Sequence, residues 1–99
     1  MPKQIRDANY SIEHSLQRFK ERYEQNLPLK TYQEWNSKIR NLIGGITQPS
    51  NMVIIKKTTV TKTNDSYVIE ITHENKKIYA NFETERNCIT TFLPIKSFI

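Results

Sequence analysis

Apolar residues recur at helical spacing through the first half of this chain and in alternation through the second. Ile12, Leu16, Phe19 and Tyr23 follow at intervals of four, three and four, which gathers them on one side of a helix turning about 100° per residue. Ser11 suits the N-cap position and Pro28 lies just past the end, so the pattern predicts a helix over 12–25. Residues 1–10 show no periodicity and read as an N-terminal arm. Tyr32, Trp35, Ile39, Leu42 and Ile43 keep helical spacing in a second segment. Thr31 and Glu34 have the spacing of a capping box at its start, and Gly44-Gly45 allows a left-handed exit at its end.

Beyond the glycines the pattern turns to β. The run from Met52 to Thr61 is rich in β-branched residues. A turn at Asn64-Asp65 leads to Tyr67, Ile69 and Ile71 alternating with Val68, Glu70 and Thr72, ending near His73. A second turn at Glu74-Asn75-Lys76 precedes Ile78, Ala80 and Phe82, which alternate with Tyr79, Asn81 and Glu83. Glu85-Arg86-Asn87 turns again into a strand from Cys88 to Leu93. Connections this short join only antiparallel neighbours, so the strands form a meander. The expected fold is α+β: two N-terminal helices, within 11–45, packed on one face of a four-stranded antiparallel sheet, within 50–94. Ile12, Leu16, Phe19, Tyr23, Trp35, Ile39 and Leu42 are expected to face that sheet.

Ninety-nine residues with 36% hydrophobic content suit one domain with one modest core. The lone Cys88 excludes an internal disulfide framework and a multi-cysteine zinc site. No apolar run approaches 18 residues and Met1-Pro2-Lys3-Gln4-Ile5 lacks the core of a secretion signal, so a cytoplasmic protein without membrane contact is expected. The net charge of +5 is unevenly placed. Between Trp35 and Asn64 lie Lys38, Arg40, Lys56, Lys57 and Lys62 with no acid, while the other ten cations are matched by ten acids. A basic excess with pI near 9.4 is the electrostatic footprint of a nucleic-acid binder, and equally of a solvated, lysine-rich surface.

The first helix has a second stripe. His14, Arg18 and Arg22 recur at four and four, roughly 130° around from the apolar stripe. Cations four apart repel slightly, so helix stability does not explain them, and they suggest an anion. With Ser11 as cap, His14 falls in the first turn, where the amide dipoles disfavour a protonated ring and suit it to taking a proton. RNA cleavage without a metal needs a base, an acid for the leaving oxygen and cations where charge accumulates on a phosphorane; His14 suits the first role and Arg18 and Arg22 the third. Tyr79 is a candidate acid or stacking surface, against the alternative of strand packing. His73 reads as a turn residue and Cys88 as an inert buried thiol. No carboxylate or histidine cluster has metal-ligand spacing, and no cofactor motif is present.

The segments His14-Ser15-Leu16-Gln17-Arg18-Phe19-Lys20-Glu21-Arg22 and Ile89-Thr90-Thr91-Phe92-Leu93-Pro94 resemble those of the small toxin-like and phage-borne ribonuclease domains grouped with barnase, EndoU, colicin and RelE folds. The resemblance implies a metal-independent endoribonuclease in which His14, Arg18 and Arg22 face Thr91 across a groove, with Lys38, Arg40, Lys56, Lys57, Lys62 and Tyr79 as substrate-binding candidates. RNA, as mRNA or associated with the ribosome, would be the substrate, and a protein inhibitor or host protein a further partner. RelE itself relies on lysine, arginine and tyrosine rather than a helix histidine, which leaves ribosome dependence open. The competing reading is a non-catalytic basic module that binds RNA or a host protein.

Overall fold

The computed structural model describes the backbone of residues 2–94 and the side chains of residues 12–94. Helix α1 (Pro2–Tyr23) and helix α2 (Leu29–Ile43) precede four strands, β1 (Met52–Thr61), β2 (Asn64–His73), β3 (Lys76–Glu83) and β4 (Cys88–Leu93). The strands form one antiparallel sheet in the order β1-β2-β3-β4, so the expected two-helix, four-strand α+β meander is the observed architecture.

The start of α1 differs from expectation. The helix begins at Pro2, so 2–10 are helical instead of an arm and Ser11 is no cap. Proline is favoured at a first helical position because its missing N–H would be unpaired there anyway. His14 therefore sits in the fourth turn, beyond reach of the helix-terminus field invoked for its ring. The capping box of α2 is likewise absent: the N-cap is Pro28, without a side-chain cap bond, and Thr31 lies inside the first turn. Leu27 and Tyr32 flank this start and both enter the core, the positions of a hydrophobic staple. At the exit, Gly45 takes a φ of +73°.

Both helices pack on one face of the sheet. Tyr67, Ile69, Ile71, Ile78, Ala80, Phe82, Ile89 and Phe92 meet Phe19, Tyr23, Trp35, Ile39 and Leu42 in one buried cluster, with Ile12 and Leu16 partly buried against it. The strand alternation holds through β2 and β3. It fails in β4, where simple alternation would place Ile89 with Thr91 and apart from Phe92. A bulge opposite Asn81 and Phe82 leaves Thr90 as an extra residue, so Ile89 and Phe92 both turn inward. Glu74 and Asn75, with φ of 51° and 64°, form the two-residue turn between β2 and β3.

The helices also close the free edge of β4. Ser15 Oγ and Tyr32 Oη donate to the carbonyl of Ile89 at 2.9 and 2.6 Å, and the Ile89 N–H donates to Asn36 Oδ1 at 2.8 Å. Tyr23 Oη donates to the Leu93 carbonyl at 2.8 Å and accepts from the Tyr79 N–H at 3.0 Å. Leaving a buried backbone donor or acceptor unpaired costs about 1–3 kcal/mol, which accounts for the polar Ser15 and Asn36 inside an apolar interface. Burial pushes the Tyr32 phenol up to about 12, so it stays a donor at neutral pH.

Candidate functional site

Ser15, Phe19 and Tyr23 point α1 at β4 and the core, and they fix where its other faces look. Ile12 shares a cleft with Tyr32 and Asn36 of α2, so the Ile12–Leu16 side of α1 is the α2 side. His14, Arg18 and Arg22 then occupy the opposite flank, turned away from α2 along the outside of the β4 edge. His14 is half-buried and Arg22 exposed. Arg18 Nη1 lies 2.8 Å from Glu21 Oε1, and this bond, with a second from Gln17, lowers the pKa of the Glu21 carboxyl. An exposed pair of this kind contributes little, so a phosphate can displace the carboxylate.

Thr91 does not face this stripe across a groove between helix and sheet. It lies opposite Asn81, on the face of the sheet turned away from the helices, because the bulge directs its neighbours Ile89 and Phe92 inward. Stripe and Thr91 meet only around the free edge of β4. Tyr79 shares the outer face with Thr91, opposite Leu93. Its hydroxyl donates to Glu70 Oε2 at 3.1 Å, and Lys77 Nζ holds the other oxygen of Glu70 at 2.9 Å. Desolvation, then the Glu70 carboxylate, raises the Tyr79 pKa, so the phenol keeps its proton and offers chiefly its ring face.

The basic residues of the middle stretch are dispersed. Lys38 and Arg40 are exposed on α2. Lys56 and Lys57 lie on β1 and Lys62 in the turn after it, at the other edge of the sheet. At about 4.8 Å per strand spacing, β1 and β4 are on the order of 14 Å apart, so these lysines and the α1 stripe do not form one surface.

One feature escaped the sequence reading. A cleft of about 300 Å³ runs between the helices and the β3–β4 turn, lined by Ile12, Tyr32, Asn36, Arg40, Arg86 and Cys88 among others. Arg40 Nε donates to the Asn87 carbonyl at 3.1 Å there. Arg86 lies between Glu85 and Asn87 in sequence, and no spacing connects it to Arg40. Cys88 is half-buried on the cleft wall, and its burial pushes the thiol pKa up. His73 packs its ring edge-on against Trp35 at 5.2 Å and lies 3.8 Å from Glu74.

Among the described residues, no three His, Cys, Asp or Glu side chains are grouped to hold a metal, and no helix is long and apolar enough to cross a membrane. The sequence matches no protein-family model, no curated protein and no solved structure.

Proposed function

We propose that this chain is a metal-independent endoribonuclease that cleaves RNA by attack of the ribose 2′-hydroxyl on the adjacent phosphate. The observation that carries the reading is the His14, Arg18 and Arg22 stripe, three residues in register on the flank of α1 that the core leaves outside. In the proposed step His14 takes the 2′-hydroxyl proton, the 2′-oxygen bonds to phosphorus, and the bond to the leaving 5′-oxygen breaks, that oxygen taking a proton from water. Arg18 and Arg22 meet the charge that builds on the non-bridging oxygens, each able to offer two parallel donors. Thr91 donates a hydroxyl from the far side of the β4 edge, and the Tyr79 ring offers a base a surface to stack on. A strand of RNA would wrap that edge instead of lying in a closed groove.

One observation favours the second reading, a non-catalytic binding module. Among the described residues, four of the six exposed large hydrophobics lie on β1 with Lys56 and Lys57, remote from the stripe. Incubation of the purified chain with labelled RNA in EDTA separates the two. The endoribonuclease reading expects discrete RNA fragments at unchanged rate with chelator, and intact DNA of the same sequence. RNA retained uncut under these conditions leaves the binding module.

A further inference from the structure

The two edges of the sheet are treated differently. Ser15, Tyr32 and Asn36 take both backbone groups of Ile89 in β4, and Tyr23 the Leu93 carbonyl at its end, whereas the sheet ends at β1 and no described element lies beyond it. Of the ten residues of β1 only Met52 is buried; the rest are exposed, including Val53, Ile54, Ile55 and Val60 at 36–57%. A ten-residue strand paired on one side only, with four exposed aliphatic side chains, is a template for another strand.

We infer that β1 docks an extended acidic segment of a partner protein, which adds to the sheet as a fifth strand. Backbone amides of β1 would supply the common binding energy, and its side chains the selection, as in strand addition generally. Charge complementarity identifies the occupant. Lys56, Lys57 and Lys62 stand along this edge with no acid between Trp35 and Asn64, and Lys57 Nζ lies 3.8 Å from Asp65 Oδ2 of β2. A second copy of the chain is the wrong occupant, because pairing two β1 strands gathers six lysines in one seam, and like charges across strands are destabilising. RNA also fits poorly: β1 carries no aromatic or arginine side chain on which a base would stack, and nucleic acid leaves the exposed valines and isoleucines unused. The inference stands apart from the endoribonuclease reading, since β1 and the α1 stripe occupy opposite sides of the molecule.

The test uses the full chain, labelled with nitrogen-15, and a synthetic decapeptide of alternating valine and glutamate. Saturable binding is expected, with amide shifts concentrated in residues 53–62. The peptide with lysine in place of glutamate should not bind, nor should a fully N-methylated version, which has no amide donors. Lys56→Glu/Lys57→Glu should weaken binding by about tenfold or more, and the milder Lys56→Gln/Lys57→Gln by less, with melting temperature reporting that each variant is folded. The inference is overturned if the glutamate peptide does not bind, if the lysine peptide binds equally well, or if the shifts fall on another element. It is also overturned if the chain self-associates through β1, or if a ten-nucleotide RNA moves the same amides at lower concentration than the peptide.

Discussion

His14→Ala should cut RNA about 10²–10⁴-fold more slowly than the unaltered chain, the range a positioned general base contributes. The substitution is well suited to the question. His14 lies in the fourth turn of a 22-residue helix, half-buried and outside the apolar cluster, and alanine is the strongest helix former. Fold and RNA affinity should therefore survive while the chemical step slows. Single-turnover rates at saturating protein, with a melting curve for each variant, separate these effects. Equal rates for the two proteins would remove His14 from the mechanism. Arg18→Ala should behave differently, weakening both binding and rate, because its guanidinium is assigned to the phosphate in the ground state as well as in the transition state.

Phe92→Ala should lower unfolding free energy by about 3–5 kcal/mol, against a total of roughly 5–15 kcal/mol for a domain of this kind. Phe92 is fully buried at the junction of the layers, its ring 5.0 Å from that of Phe19 and 6.2 Å from that of Trp35. Truncation removes the side chain against which both helices meet β4. Thr91→Ala, one residue away, should cost no more than about 1 kcal/mol, because Thr91 faces outward. Urea denaturation of the pair tests the bulge directly: similar losses for both would mean that the facing of β4 is misassigned.

The bulge is also where sequence and structure part most clearly. β2 and β3 were legible because their alternation, Tyr67, Ile69 and Ile71, then Ile78, Ala80 and Phe82, has no competing pattern, although the turn expected at Asn64-Asp65 lies at Lys62-Thr63 and both residues belong to β2. In Cys88-Ile89-Thr90-Thr91-Phe92 the inward pair is three apart, a spacing that period-two reading divides between two faces. The first turns of α1 were missed for a local reason. Ser11 has the chemistry of a cap, and a hydroxyl that can cap a helix can also sit inside one. Thr31 and Glu34 misled in the same way, while the buried Leu27 and Tyr32 marked the true start of α2. The helical register of His14, Arg18 and Arg22 needed only the 3.6-residue repeat. The placement of Thr91 and of the β1 lysines depended on strand order and pleat, long-range properties that residue spacing does not encode.

The open β1 edge illustrates the same limit. Its sequence reads as a good strand, and nothing within ten residues tells whether a strand is central or peripheral. Only the meander order, with both helices gathered toward β4, leaves it uncovered.

The central claim, that the substrate supplies its own nucleophile under control of His14, is tested most directly by one oligonucleotide. An RNA identical to a cleaved substrate, but with a single 2′-deoxyribose on the 5′ side of the scissile bond, should resist cleavage at that bond. The all-ribose parent should yield a fragment ending in a 2′,3′-cyclic phosphate by mass spectrometry. Cleavage of the deoxy substrate at the same bond, or a parent product that never carries the cyclic phosphate, would contradict the mechanism.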